Sequence, residues 1–425
     1  MNDLPNDSMD RVHQLRGDRA RRFASMLRSR QTAGMMLAGA AIPLFLIAWP
    51  TPTSGVPRIP GRDEEVLERL PSAQSMIRGR SPERQRIVAE VPSSEAIAEA
   101  RRLLELARAE SDPRYLGRAQ AFLSPWIQRS NPPAPVRLMR AIMRQSTHDF
   151  NGALDDLQAC LRESTNNAQA WLVKSTIHTV RGEWQAAREA ALALTPLTDR
   201  LVSASLAASI ASLNGQAAEA RQLLTQSLAS ERNAAPAVRL WARTLLAETC
   251  ERLGEAAAAE THFQTALRMG IRDAYLRGAY ADFLLAEDRA AEVVTLLDDP
   301  SLSDGLLLRL ALAEQRLNPQ SEVLATHVRT LAQRFESARR RGEAIHQREE
   351  AIFEWKLRQN PARALQLAQA NWAVQREPCD AKILLESALA MRHIETVKQI
   401  QQWLNDSGLE DVRLRRLLAE PGAQP

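Results

Sequence analysis

Apolar residues along this chain recur at the three- and four-residue spacing of a helix stripe, in blocks that repeat with an offset of about 34 residues. Residues 134–167, 168–201 and 201–234 can be laid on one another. Ala153, Ala187 and Ala220 then share one position, and His148, Gly182 and Gly215 fall five residues earlier. A bulky residue follows soon after in two blocks, as His148-Asp149-Phe150 and Gly182-Glu183-Trp184. The pattern predicts two antiparallel helices per block, joined by a turn at His148, Gly182 or Gly215, with the small residue admitting close approach of the pair. Weaker copies occupy residues 240–273, with Gly254, Ala259 and Phe263 in register, and 274–307, where Asp288 takes the turn and Val293 the small position. A further pair is predicted over 95–129. Beyond it all, helices are predicted over 307–317, 322–340, 345–357, 362–374, 381–391 and 394–404. No stretch shows sustained period-two alternation, so the expected class is all-α.

The shared register, Trp171 at the head of its block and the small residues of the second helices together resemble the tetratricopeptide-repeat (TPR) family over roughly residues 95–307. The leading aromatic survives only as Trp171, and most blocks lack the terminal proline. The resemblance implies a right-handed α-solenoid of five to six clear helix pairs. Degenerate repeats over 308–425 would then cap its apolar end, because neither helix of a pair buries its face without neighbours. Segments 281–285 and 371–376 are similar to those of bacterial envelope repeat proteins, which assigns no function. In this family the first helix of each pair lines a concave groove, and its second, fifth, ninth, twelfth and thirteenth residues face a ligand. Carried over, the groove positions are Gln169, Leu172, Thr176, Thr179 and Val180, then Val202, Ser205, Ser209, Ser212 and Leu213. Trp241, Thr244, Glu248, Glu251 and Arg252 follow, then Tyr275, Asp282 and Leu285. Gln169, Thr176, Ser209, Thr244, Glu248, Tyr275 and Asp282 are the expected partner contacts. The lysine and asparagine cluster with which chaperone-binding repeats grip an acidic peptide is missing from these positions.

Ahead of the repeats, residues 33–49 form an uncharged apolar run, interrupted by Pro43 and ended by Trp49. Its length is near the lower limit of about 17 residues for a membrane-spanning helix. The basic tail of residues 1–32 precedes it: among the first 31 residues seven arginines face four aspartates, whereas residues 50–59 carry only Arg58. The positive-inside rule then places the N-terminus in the cytoplasm and the repeats in the bacterial periplasm. The long leader and the poor small-residue site at Thr53-Ser54-Gly55 favour an uncleaved anchor over a signal peptide. Residues 50–92 hold seven of the 22 prolines and read as a semi-rigid linker to a solenoid over 93–307.

Composition alters this picture little. Of 425 residues 45% are hydrophobic but only 4% aromatic, and the net charge of +4 falls mostly on the N-terminal tail. The basic residues are nearly all arginine, with only four lysines, and the high isoelectric point reflects that usage and not a basic face for nucleic acid. Arg339-Arg340-Arg341 is read as a solvated helix end. Cys160, Cys250 and Cys379 are odd in number and widely spaced, and are expected as buried free thiols. Glu343-x-x-His346 has the spacing used in di-iron bundles but stands alone where two such motifs are needed. His148, His178 and His262 occur singly, and Asp155-Asp156 on a second helix is expected in solvent. No phosphate-binding glycine loop, nucleophile elbow or Cys-x-x-Cys pair is present. No catalytic, cofactor or metal residues are therefore assigned. The expected function is a non-enzymatic scaffold at the cell envelope, binding an envelope protein in the groove, with assembly of a membrane complex as the concrete case. A self-associating structural module and an enzyme with an unrecognised site are the competing readings.

Overall fold

The computed structural model describes residues 94–299, 302–342 and 346–419, and among these residues all regular structure is helical. The candidate membrane segment, residues 33–49, and the proline-rich linker lie outside the described residues. No described helix is long and apolar enough to cross a membrane.

Helices follow one another as packed neighbours, the arrangement of an α-solenoid. The pairs are α1 (Ser94–Glu110) with α2 (Arg114–Ile127), α3 (Ala134–Ser146) with α4 (Phe150–Glu163), and α5 (Ala168–Val180) with α6 (Trp184–Leu194). Next come α7 (Arg200–Ser212) with α8 (Ala217–Ser230), α9 (Pro236–Arg252) with α10 (Ala256–Leu267), and α11 (Ala274–Ala286) with α12 (Ala290–Leu296). Then α13 (Asp304–Leu317) packs on α14 (Glu322–Arg340), and α15 (Gln347–Ile352), continued by a π turn over Phe353–Leu357, packs on α16 (Pro361–Trp372). The chain closes with α17 (Pro378–Ala390), α18 (Ile394–Ser407) and α19 (Val412–Leu418).

The turns explain the repeat. His148, Gly182, Gly215, Gly254 and Asp288 all adopt left-handed backbone, with φ of 61°, 73°, 72°, 81° and 58°. In each case the next residue's N–H reaches back five residues to the end of the preceding helix, as in Asp149 N to Arg144 O at 2.8 Å and Glu183 N to His178 O at 2.8 Å. This bond pattern satisfies carbonyls that the helix end leaves open. Ser111 and Arg392, at φ 50° and 52°, make the same turn in α1–α2 and α17–α18. Glycine adopts this geometry freely and aspartate with little strain, whereas most other L-residues there cost roughly 1–2 kcal/mol.

Second helices bury one stripe: α8 buries Ala217, Ala220, Leu224, Ser227 and Leu228, and α10 buries Ala259, Phe263 and Ala266. First helices are buried on nearly every side. In α9, eleven of its 17 residues are buried, among them the polar Thr244 and Thr249. First helices also pack on the first helices of neighbouring pairs and so form the inner layer. The array curls far enough for Arg108 of α1 to pair with Asp273, the N-cap of α11.

The C-terminal helices do more than extend the stack, as a terminal cap would. Their apolar side chains form a cluster of their own, from Ala351 through Trp372, Leu384 and Ile400 to Leu414, which Leu213 of the inner layer joins. Trp372 and Trp403 meet edge to face in it, 4.9 Å apart. Through Leu213 this cluster meets the inner layer of the repeats.

Candidate functional site

Four of the expected partner contacts, Gln169, Thr176, Ser209 and Thr244, are buried. The structure brings Glu248 and Tyr275 together, with the tyrosine hydroxyl donating to Glu248 Oε1 at 2.5 Å. Asp282 is the exposed member of the set and accepts two bonds from the Arg309 guanidinium, at 2.8 and 2.5 Å.

The chain's own C-terminus packs against the ends of these first helices and the turns that follow them. Arg376 N donates to Val180 O at 2.7 Å, where α5 ends. Asn214 Nδ2 donates to Ser407 O at 2.8 Å, and Glu410 accepts from Ala217 N at 2.9 Å, capping the start of α8. Gly215 lies against Gly408 so closely that a Cβ on Gly215 would meet the Gly408 carbonyl at 3.3 Å. Val412 rests on Gly254, and Arg413 pairs with Glu251. Successive turns of the repeat array thus meet successive points of the C-terminal segment in the same order. The fit leaves polar groups unserved. Both amide atoms of Gln169, the Ser205 hydroxyl and both amide atoms of Gln145, which stands at the twelfth position of its own first helix, are buried without a hydrogen-bond partner.

Between the repeats and the C-terminal helices lies an ionic cluster. Arg348 of α15 donates to Cys379 Sγ at 3.0 Å, Glu377 Oε2 at 3.3 Å and Asp380 Oδ1 at 3.4 Å. Asp380 also accepts from Asn371 Nδ2 at 2.8 Å, and it closes a reciprocal cap with Glu377 at the start of α17. The ligand atoms of Glu377, Cys379 and Asp380 lie within 4.8 Å of one another, a spacing that suits a metal ion, but Arg348 already supplies the cation there. Desolvation by the protein around them pushes the Cys379 thiol, although water still reaches it, and the buried Glu377 carboxyl well up and raises Asp380, so the thiol is a poor nucleophile. Burial likewise opposes ionisation of Glu349, yet Arg348, His346 and Arg309 hold it down at about 2. Burial raises Glu248 and Tyr275 as well. The arrangement supplies a satisfied electrostatic clasp and no activated nucleophile.

Other expectations are corrected by their surroundings. Cys160 and Cys250 are buried, but Cys379 is exposed, its sulfur accepting from Arg348. Asp155 is exposed as expected, whereas Asp156 is buried and accepts from both Arg140 and Arg144. Arg339, Arg340 and Arg341 are exposed at the end of α14, as expected of a solvated helix end, and Arg339 also pairs with Glu336 and Glu350. His148 is pushed down to about 4 by burial, with Arg348 adding to the shift. His178 pairs with Glu183 at 2.5 Å, and His262 lines a surface cleft. Glu343 lies outside the described residues. Sequence reasoning passed over Arg348, Arg376, Glu410 and Arg413, whose roles come from contacts more than 150 residues away in three of the four cases. The cap at Glu377-Pro378-Cys379-Asp380 did carry a local signal, an acid three residues beyond the helix start with proline at its first position.

No protein-family model and no curated protein matches the chain.

Proposed function

We propose that the chain is a non-enzymatic binding scaffold of tetratricopeptide type, anchored at a bacterial cell envelope by residues 33–49. Its inner groove takes a segment of an envelope protein in exchange for the chain's own C-terminal helices. The observation that carries this reading is the set of orphaned polar groups on the groove wall, at Gln145, Gln169 and Ser205. Each buried group without a partner costs about 1–3 kcal/mol, so a ligand that hydrogen-bonds to them has an advantage over the resident helices. The residents are also held at the wall largely by hydrogen bonds and the Arg413–Glu251 pair, while their apolar side chains pack chiefly on one another. Solenoids present extended concave surfaces for such recognition, and a membrane tether raises the effective concentration of membrane-borne partners.

The test is Arg413→Glu, which sets a second acid opposite Glu251 and beside Asp411. The expected outcome is faster hydrogen exchange over residues 394–418 with residues 134–267 unchanged. A labelled synthetic peptide of residues 404–419 should then bind the variant and not the parent chain. Unchanged exchange, or a peptide that binds neither protein, rejects the exchange of occupants. Alkaline phosphatase fused after Gly61 should be active, as a periplasmic site requires; an inactive fusion removes the envelope from the proposal.

A further inference from the structure

On the outer side of the repeats, α8, α9 and α10 enclose a shallow cleft of about 380 Å³, lined by Thr225, Leu228, Ala229, Arg232, Arg239, Arg243, Leu246 and His262. Three arginines and a histidine stand there with no acidic residue among the lining side chains. The adjoining cleft differs: its Arg221 pairs with Glu255, and Glu219 adds a second acid. In the first cleft Arg232 and Arg239 use single donors on backbone carbonyls, Arg232 Nε on Ala229 O at 3.2 Å and Arg239 Nη1 on Arg232 O at 2.6 Å. Arg239 Nε and His262 Nδ1 are buried without partners. Arg243 makes no ion pair among the described residues, whereas Arg221 of the adjoining cleft finds Glu255. Burial lowers the pKa of Arg243 and of His262, with Arg239 repelling the first and Arg243 the second. Like charges gathered against apolar walls, with donors left over, have the chemistry of a site that waits for an anion.

We propose that this cleft binds a phosphate group carried on an apolar body, with Arg232, Arg239 and Arg243 gripping the oxygens, His262 supplying a further hydrogen bond and Leu228 and Leu246 packing on the carrier. A phosphate matches three guanidiniums better than a single carboxylate does, in charge and in its geometry for paired N–H donors. A free phosphate ester and a phospholipid headgroup share this chemistry. The site is independent of the inner groove, because its residues lie on second helices, on the α8–α9 turn that carries Arg232, and on one flank of α9.

Calorimetry on the full-length chain with phenyl phosphate, inorganic phosphate and benzoate tests the class. Phenyl phosphate should bind, about tenfold or more tighter than either of the others, and Arg243→Ala should weaken it by about tenfold or more, the worth of one charge-assisted hydrogen bond. Arg243→Lys should recover only part of that loss. The imidazole NMR signals of His262 should move on titration with phenyl phosphate. Without ligand, Arg243→Ala should leave the thermal midpoint unchanged or raised, because it relieves repulsion. No binding of phenyl phosphate, equal binding of benzoate, or binding that survives the Arg239→Ala, Arg243→Ala double variant overturns the proposal. Vesicles of phosphatidylglycerol against phosphatidylcholine identify the source. Arg243-dependent retention on the anionic vesicles assigns the headgroup, and its absence beside phenyl phosphate binding assigns a free ester.

Discussion

At the scale of single residues, the small positions carry the packing of each pair. Ala187 is fully buried, and Ser175 Oγ donates to its carbonyl at 2.8 Å, which fixes how near α5 and α6 stand. Ala187→Leu is expected to destabilise by about 1–3 kcal/mol, read from the urea midpoint. Asp288 offers a cleaner view of the turns, since its side chain is 94% exposed and substitution there acts through the backbone. Asp288→Val should cost about 1–2 kcal/mol, whereas Asp288→Gly should cost nothing measurable in the same experiment. Both kinds of position were legible in the sequence, because left-handed backbone and close helix approach restrict residue type locally. Asp156 and Cys379 were not: one is buried and the other exposed because of what lies opposite them, which no local pattern records.

At the scale of elements, helices came through where a stripe and a turn agree. The span predicted over 322–340 matches α14, and the pairs from α3 to α12 keep their expected turns. The helix expected over 345–357 is instead α15 and a π turn, in which Phe353 packs on Phe335 at 5.4 Å and Asn360 N reaches Glu354 O at 2.8 Å. A widened turn leaves hydrophobic spacing almost unchanged, so it is hard to see in sequence. The contact of α19 with α9 brings a pH dependence. Burial pushes Glu251 up to about 7 from an ordinary 4.5, against the pull of Arg413 and with Glu248, Asp282 and Asp411 adding to the rise. A carboxyl raised on folding is penalised once ionised, so this contribution to stability falls as pH climbs from about 4.5 to about 7 and is level above. Glu251→Gln should therefore match the parent chain at pH 4.5 and exceed it in thermal midpoint at pH 8. Equal midpoints at both would remove the burial penalty assigned to Glu251.

At the scale of the molecule, an open array of repeats unfolds piecemeal, since each unit touches only its neighbours. Here the C-terminal segment touches the end of α5, the α7–α8 turn, the start of α8 and α9 together, and Arg108 ties the first pair to the start of α11. Thermal unfolding should accordingly be one transition by both far-ultraviolet dichroism and tryptophan fluorescence, and Arg413→Glu should split it in two. A split already present in the parent chain would mean that the two parts are independent. This closure was the least legible part of the fold, because the groove positions show only which side chains face inward and not what they meet. The ordered pairing of turns with C-terminal residues has an evolutionary consequence. Open repeat arrays lengthen or shorten by whole units with little penalty. In this protein, loss or duplication of one unit would shift Val180, Asn214 and Glu251 out of step with Arg376, Ser407 and Arg413. The number of repeats is therefore locked to the length of the tail, and descendants of this chain should vary in its outer loops but not in its count of units.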